Sequence, residues 1–324
     1  MPAVALGGLG GGGDVGLALM LAASTGLSLE DIVVLSFLNC SASSSYVERI
    51  RVEGSLIEIP QNYFWSRRVF EDKIPLVFPS LAGRIYAVCT RDSWPSLVAG
   101  IEYLVELYKP RCIIGADIGG DALVLGYEPS MGSYKTDSIA RALLAHIAEK
   151  GLAKTVVATA AISAEGGGGE LDTGWVATSL LYHEEHDALL GVTTPREDVV
   201  VIGYELLRYA ESGMLPLYLA SVLGREKVAI NQAYLHGVYR VEPWYKYVFV
   251  VDAARSCSIS PLCQAARNRG ILGLKNYTRK QVPPRLEKLY REVTRELPSR
   301  VVNQVIERNR VDKIASILCY DASS

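Results

Sequence analysis

The chain has 324 residues, with 33 basic and 35 acidic side chains and a hydrophobic share of 49%. A net charge this close to zero excludes a general electrostatic attraction to nucleic acid or to an anionic membrane surface. No run of about 18 uninterrupted apolar residues occurs, so we expect no membrane-spanning helix and attribute the hydrophobic excess to buried sheet.

Three features of the sequence concern the cellular location of the protein, the state of its cysteines and the growth temperature of its source. A strand-like AVAL segment begins at Ala3 with no basic segment before it, which predicts that there is no signal peptide and that the protein is cytoplasmic. The six cysteines are widely spread without a CxxC pair, and several lie in apolar text, which favours buried free thiols. Few Asn and Gln residues beside 18 Tyr indicate a thermophilic source.

Short apolar segments rich in β-branched residues alternate with helical periods along the chain. Segments that are apolar at nearly every position, such as IVVLSF, are typical of parallel strands covered on both faces. The predicted strands are Ala3–Leu6, Ile32–Phe37, Leu56–Ile59, Ile85–Val88, Cys112–Ala116, Thr155–Ile162, Val228–Ala233 and Tyr247–Val251. The alternation predicts an α/β fold with a doubly wound, mainly parallel sheet.

Two regions are less regular. Residues 40–84 mix loop and short strand without a clear period, and they are expected to cap either the edge of the sheet or the site. From Pro283 the text becomes helical and charged, which predicts a C-terminal helical appendage over 283–324. No Ser/Gly linker precedes this appendage, so residues 1–324 are interpreted as a single domain.

A glycine-rich loop follows the first predicted strand. Six glycines lie between Gly7 and Gly13, and Asp14 follows them. Each glycine in an ordered loop costs roughly 0.5–1 kcal/mol of backbone entropy relative to alanine, so the absent side chains need a reason. The usual reason is a ligand that approaches the backbone where a strand turns into a helix. The predicted ligand-binding residues of this loop are Gly10, Gly11, Gly12, Gly13 and Asp14.

The loop fits neither of two common nucleotide motifs. The acid expected after the second strand of a dinucleotide-binding fold is missing, because Glu30 and Asp31 precede IVVLSF rather than follow it. No GKS or GKT follows any glycine run, which excludes a P-loop. We therefore expect no NAD or flavin cofactor.

The same pattern of strand, glycines and carboxylate recurs twice. Asp117, Gly119, Gly120 and Asp121 follow CIIGA, and VVATAAISAE leads to glycines that include Gly168 and Gly169, and then to Glu170 and Asp172. Ligands of open α/β sheets bind outside the carboxyl ends of the strands, so the three loops are predicted to converge there.

Grouped carboxylates suggest chemistry, although each has a simpler interpretation. An Asp before a helix is commonly an N-cap, which is an equally good interpretation of Asp14 or Asp121 alone. Several carboxylates in one crevice repel one another and favour a cation, an arginine or a hydroxyl-rich ligand. Basic residues are sparse near these loops, so the sequence predicts Mg²⁺ or Ca²⁺ at Asp117 and Asp121, or a sugar held by its hydroxyls.

These loops, with GYEPSMGSYKTDSIARALL, resemble the archaeal family catalogued as domain of unknown function 1152. The likeness covers most of the chain to about residue 270 and adds Glu128 to the predicted ligand-binding residues. The resemblance implies a Rossmann-like α/β fold and brings no established activity. Tyr127 and the pair Tyr134-Lys135 depart from the His and Pro-Leu common in the family.

Two narrower likenesses concern the second loop. Asp117, Gly119 and Asp121 are similar to the strand-end motif of nucleoside hydrolases, whose carboxylates hold calcium and activate water. The paired glycines, the acid and Gly126 resemble the D-glutamate cyclase motif. Neither spacing is complete.

Other polar groups have mainly structural interpretations. His183 and His186 lack the spacing of the zinc protease motif and are interpreted as surface or capping residues. Asp137 lies in the first turn of a predicted helix, where the dipole favours it, so its structural and functional interpretations are equally good. Asp252 ends a strand before Ser256 and is interpreted mainly as the start of a capped helix, with an anion site as the alternative.

The sequence supports two main hypotheses. In the first, a hydrolase or group transferase binds a nucleotide-like or other hydroxylated metabolite, with Glu170 and Asp121 as catalytic residues. In the second, a protein of the same fold senses a nucleotide without turnover. A small-molecule ligand is expected in both, with no nucleic acid or membrane partner, and a ligand-free homo-oligomer is a third interpretation.

Overall fold

The structure, a computed structural model, describes residues 4–10, 12–64, 66–129, 134–164, 172–232, 235–311 and 314–318. The sites predicted at Gly11, Gly168, Gly169 and Glu170 lie outside these residues. The fold is a Rossmann-like α/β fold with a large, mostly parallel central sheet. No helix of the described residues is long and apolar enough to cross a membrane.

Each strand predicted from the sequence overlaps an observed strand. The strands are β1 Val4–Gly8, β2 Ile32–Leu38, β3 Arg51–Glu53, β4 Leu56–Glu58, β5 Ile85–Cys89, β6 Cys112–Ile118, β7 Lys154–Ala160, β8 Leu189–Thr193, β9 Lys227–Gln232, β10 Leu235–Arg240 and β11 Val248–Asp252. β3, β8 and β10 were not predicted, and β9 pairs only with β10 in a separate hairpin.

The strand order explains where a ligand crevice forms. The nine-stranded sheet has the order β3-β4-β5-β2-β1-β6-β7-β11-β8. β5, β2, β1, β6 and β7 are parallel, whereas β4 and β11 run antiparallel to the strands they flank. The chain passes from β1 to β2 on one side, while β6 lies on the other. The carboxyl ends of β1 and β6 therefore form the switch point at which such sheets bind ligands.

Helices cover both faces of this sheet. They are α1 Asp14–Thr25, α2 Ile74–Val77, α3 Trp94–Tyr108, α4 Lys135–Glu149, α5 Thr173–Glu185, α6 Val200–Leu207, α7 Met214–Val222, α8 Ala253–Ser258, α9 Pro261–Arg269, α10 Ile271–Lys275, α11 Pro284–Glu296, α12 Pro298–Asn309 and α13 Ile314–Ile317. If Gly8 carried a Cβ, that atom would point at α1, whereas a Cβ on Gly115 would point at α4. Because Gly8 pairs with Ala116, the neighbour of Gly115, α1 and α4 lie on opposite faces.

The two irregular regions have defined places. β3 and β4 extend the sheet beyond β5, so part of 40–84 covers its edge. The carbonyl of Arg67 accepts a hydrogen bond from the Glu211 amide at 2.6 Å, beside Ser212, which Gly13 approaches. The segment thus also reaches the surroundings of the glycine loop. At the other end of the chain, α11 and α12 pack against α5.

The prediction of free thiols is wrong. Cys40 is bonded to Cys89, Cys257 to Cys263, and Cys112 is also disulfide-bonded. The pairing of β2 with β5 places Leu38 opposite Cys89, which brings Cys40 within reach. Sequence spacing could not reveal this pair because it depends on strand register.

Candidate functional site

Asp14 connects the glycine loop to β6. It is the first residue of α1, yet it makes no capping bond to its own helix. Instead its Oδ2 accepts from the Gly10 amide at 2.9 Å and its Oδ1 from the Ile118 amide at 3.0 Å. The carboxylate is therefore held in the crevice between β1 and β6, and the simple N-cap interpretation does not describe it.

Asp117 is fixed by the turn that follows β6. Its Oδ2 accepts hydrogen bonds from the Gly120 amide at 3.1 Å, the Ala122 amide at 3.3 Å and the Thr159 hydroxyl at 2.7 Å. Gly119 and Gly120 have φ angles of 143° and 111°, which side chains rarely tolerate. The glycine pair thus serves a sharp turn that folds the backbone around Asp117. Asp121, also buried, begins the short 3-10 turn after it.

A third carboxylate comes from the helix on the other face of the sheet. Asp137, in the first turn of α4, is only 2% exposed, and its Oδ1 has no hydrogen-bond partner among the described residues. Asp14, Asp117 and Asp137 each offer an oxygen within 4.8 Å of the others. We call these three residues the carboxylate cluster.

Burial and mutual repulsion favour protonation of the cluster. Burial first, and then the neighbouring Asp121, raise the pKa of Asp117 to about 7. Burial raises the pKa of Asp14 and of Asp137 well above the ordinary range, and Asp117 raises both further. Among the described residues, no basic side chain forms a salt bridge with the three carboxylates.

The glycines of the first loop serve different purposes. A Cβ at Gly13 would lie 2.5 Å from Ser212 Oγ, and one at Gly7 would lie 2.5 Å from the Leu35 carbonyl, so both are required by packing. Gly12 has a φ angle of 64°. Among the described glycines of this loop, a Cβ at Gly10 would face the cluster oxygens, at 3.0 Å from both Asp137 Oδ1 and Asp14 Oδ2, whereas one at Gly8 would meet the Cβ of Asp14 at 3.1 Å. Of the described glycines in this loop, Gly10 alone leaves space directly over the carboxylates.

Glu128, predicted to bind ligand, is engaged by its own loop. Its Oε1 accepts from the Leu125 amide at 2.8 Å, and its Oε2 accepts from the amides of Gly126 at 2.7 Å and Tyr127 at 2.9 Å. These bonds hold the segment after Asp121 in shape. A direct role of Glu128 in ligand binding stays a prediction, and its position favours a structural role.

Sequence reasoning missed Arg141, the cation that anchors the same segment. Arg141 lies one turn after Asp137 on α4 and is buried, and its guanidinium donates to the carbonyls of Ala122 and Val124, each at 2.7 Å. It also donates to Ser260 Oγ at 2.6 Å. Burial lowers its pKa to about 10, so it stays charged at neutral pH. A lone arginine inside the apolar run IARALL was the available signal.

Of the two structural interpretations of His183, a surface residue or a cap, the surface one is wrong. It is fully buried, with Nδ1 2.7 Å from the Ser179 carbonyl and Nε2 2.9 Å from Ser256 Oγ. Burial lowers its pKa to about 3, so the ring is neutral. Nδ1–H therefore donates to the carbonyl, and Nε2 accepts from Ser256. The pair joins α5 to α8 inside the core.

The end of β11 does not join the crevice. β11 is antiparallel to β7 and pairs Asp252 with Val156, near the start of β7. Asp252 instead caps α8 by accepting from the Arg255 amide at 2.9 Å. The capping interpretation of Asp252 is confirmed, and this strand end lies at the edge of the sheet opposite the crevice.

The exit of β7, in contrast, lies beside the second glycine loop. The Ser163 amide donates to the Gly119 carbonyl at 2.9 Å, and the Gly119 amide donates to Ala160 at 3.0 Å. Ala161 and Ser163 have φ angles of 48° and 62°, a strained backbone for residues with side chains. Asp172, the next described residue after Ala164, caps α5 by accepting a hydrogen bond from the Gly174 amide.

The cluster is chemically suited to a hard cation. Carboxylate oxygens are the preferred ligands of Mg²⁺ and Ca²⁺, and backbone amides already orient Asp14 and Asp117. The buried Oδ1 of Asp137 supplies a further ligand, and no hydrogen bond from a described residue offsets its desolvation. A cation there would offset both the burial and the repulsion that raise the three pKa values.

Comparison with known proteins places the chain in one family. A family model described as a protein of unknown function, DUF1152, matches residues 47–283. The chain therefore belongs to the DUF1152 family. The matched segment includes Asp117, Asp121 and Asp137, whereas Asp14 precedes it. No curated protein and no solved structure matches the chain.

Proposed function

We propose that this member of the DUF1152 family binds a divalent cation and a hydroxylated, nucleotide-like metabolite at the carboxylate cluster, and acts as a hydrolase or group transferase. The observation that carries the proposal is the approach of three buried carboxylate oxygens to within 4.8 Å of one another. Burying this much negative charge without a counter-ion costs several kcal/mol, so a folded protein keeps such a group mainly for a ligand.

The place of the cluster supports a small-molecule ligand. It lies at the carboxyl ends of β1 and β6, where the strand order reverses. Gly10 is exposed above it and has no side chain to block the approach. A cation held there would still have open coordination positions, which hydroxyl oxygens of a sugar can fill.

We assign roles to residues as follows. Asp117 and Asp121 hold the cation or the ligand hydroxyls, and Asp14 and Asp137 complete the ligand set. A cation held by these carboxylates would lower the pKa of a bound water and make it a nucleophile. Glu170 is proposed as the general base or acid, as the sequence predicted.

Calorimetry on metal-free protein tests cation binding. We expect Mg²⁺ or Ca²⁺ to bind the wild type, and Asp137→Asn to weaken binding by at least roughly tenfold because it removes a charged ligand. Asp252→Asn is the matched control, since Asp252 caps a helix at the opposite end of the sheet. Equal binding by all three proteins, or none by the wild type, would overturn the cation proposal.

A thermal-shift screen of nucleotides and sugars with the cation tests the substrate class. Hits are then incubated with the protein and the products analysed. Binding with turnover supports the enzyme, whereas binding without turnover supports the non-catalytic sensor. If no compound stabilises the protein, the metabolite proposal fails even when the cation binds.

A cytoplasmic location and a thermophilic source are part of the same proposal. Disulfides are rare in the cytosol of mesophiles, but intracellular proteins of hyperthermophiles often contain them. The pairs Cys40–Cys89 and Cys257–Cys263 therefore agree with an intracellular protein only if the source is hot. A homo-oligomer is also proposed, since α6 exposes Val201 and Tyr204.

A further inference from the structure

A cavity lies beside the start of α5, and no residue of the carboxylate cluster lines it. Its volume is about 480 Å³, and its walls include Trp175, Tyr290, Arg279 and Lys280. None of these residues takes part in the function proposed above. The cavity combines an aromatic wall with two cationic side chains.

The aromatic wall is rigidly built. The rings of Trp175 and Tyr290 stack with centroids 4.3 Å apart and planes inclined by 21°. Trp175 is buried to all but 8%, and it packs with Leu125 and Leu286 in a small apolar cluster. Tyr290 Oη lies 3.4 Å from Asp172 Oδ2, the cap of α5. Because these contacts fix both rings, the wall needs little ordering when a ligand binds.

The cationic side is open and unneutralised. Arg279 and Lys280 are exposed, and neither has an ion-pair partner among the residues that the structure describes. Among the described lining residues, Glu287 is the carboxylate, and it accepts a hydrogen bond from Arg291, which offsets its charge. The cavity therefore presents a net positive charge beside a flat aromatic surface.

We propose that this cavity is a second ligand site, which binds a mononucleotide-like anion. The phosphate pairs with Arg279 and Lys280, and the base lies against Tyr290. A guanidinium is suited to phosphate recognition. Any nucleobase can stack on an aromatic side chain, because stacking does not depend on hydrogen bonds to that base. The anion is not expected in the carboxylate cluster, because without a cation the cluster repels it.

The site is linked to the segment that holds the first one. Leu125 packs against Trp175, and its amide donates to Glu128 at 2.8 Å in the loop after Asp121. A ligand against the aromatic wall thus lies next to the backbone that shapes the carboxylate crevice. The site itself needs no cation.

Binding of adenosine monophosphate in the presence of EDTA tests the proposal. By calorimetry we expect the wild type to bind, and Arg279→Gln with Lys280→Gln to weaken binding at least roughly tenfold by removing two charged contacts. The control is Arg225→Gln with Lys227→Gln, two exposed cations elsewhere on the surface, which should leave binding unchanged. Failure of the wild type to bind, or equal loss in both double variants, would overturn the site.

The ring contact has its own test. Tyr290→Phe keeps the stacking surface and should bind adenosine monophosphate as the wild type does, whereas Tyr290→Leu should bind it several-fold more weakly. Inorganic phosphate should bind more weakly than adenosine monophosphate and should not distinguish these variants. If phosphate binds as tightly, the base contributes nothing and the assignment to a nucleotide is wrong. Asp137→Asn should bind adenosine monophosphate normally, so failure of the cation proposal leaves this result intact.

Discussion

Two groups of buried ionisable side chains differ in how far the fold supplies their hydrogen-bond partners. Glu128 and Arg141 find hydrogen-bond partners on the backbone, three amides for the carboxylate and two carbonyls for the guanidinium. The carboxylate cluster has some backbone support at Asp14 and Asp117, but Asp137 Oδ1 has no partner among the described residues. Both groups are almost completely removed from water.

The contrast separates scaffolding from binding. Buried charges that support a loop are satisfied within the protein, because any unpaired one destabilises the fold. Charges intended for a ligand remain incompletely satisfied until the ligand arrives. Arg141 makes the contrast sharper, since it stands one turn from Asp137 on α4 and yet donates to carbonyls and serines. Among the described residues, the cluster thus has no salt bridge although a buried cation lies one turn away.

Removal of the satisfied cation should have the largest effect. Arg141→Met removes the guanidinium that donates to the carbonyls of Ala122 and Val124, so we expect the free energy of unfolding to fall by about 3–5 kcal/mol. Urea denaturation with EDTA present measures the loss. Arg267→Met is the matched control: its surface pair with Glu149 should contribute at most about 1 kcal/mol. Similar losses in the two variants would contradict a special role of the buried network.

Removal of an unsatisfied charge should act in the opposite direction. Asp137→Asn removes a carboxyl group whose ionisation is costly at this buried site, so metal-free protein should become more stable by about 1–2 kcal/mol near neutral pH. The same variant should lose the stabilisation that Mg²⁺ or Ca²⁺ gives the wild type. Differential scanning calorimetry with and without cation measures both effects, with Asp252→Asn expected to behave as wild type. A less stable Asp137→Asn would show that this carboxylate serves the fold.

The pH dependence of stability should show that ionisation of the cluster is unfavourable in the folded protein. The folded protein raises the pKa of Asp117 to about 7 from its ordinary 3.8, so the native state binds a proton that the unfolded chain has lost. Stability of the metal-free protein should therefore fall as pH rises from about 4 to about 7, by up to about 1.4 kcal/mol per unit for one proton. Denaturation at several pH values in this range should show that the free energy of unfolding falls more steeply with pH for the wild type than for Asp117→Asn. Saturating cation should remove the difference, whereas parallel curves without cation would contradict the raised pKa.

Much of this site follows from the sequence because strand ends are marked locally. Asp14 and Asp117 each follow a readable strand, and parallel strands bring such ends to one edge. Asp137 carries no comparable mark, since an acid in the first turn of a helix is ordinary. Asp252 has the same local pattern as Asp117, but β11 runs the other way, and nothing in its own residues gives its direction. The sequence likewise does not reveal partners that depend on strand register or packing. Cys89 as the partner of Cys40, and the carbonyls as the partners of Arg141, are examples.

The smallest predicted effect distinguishes the two kinds of glycine in the first loop. An alanine at Gly10 would place its Cβ 3.0 Å from two cluster oxygens, whereas one at Gly12 would meet no atom of the described residues within 4 Å. Gly12 has a φ angle of 64°, so Gly12→Ala should cost about 1 kcal/mol of stability through backbone strain and leave cation affinity unchanged. Gly10→Ala should change stability by less than about 1 kcal/mol and yet weaken cation binding, because the methyl group occupies the approach to the carboxylates. Thermal unfolding measures the stability of both variants, and calorimetry measures their cation affinity. If Gly12→Ala weakened the cation and Gly10→Ala did not, the ligand would have to enter the crevice from another side.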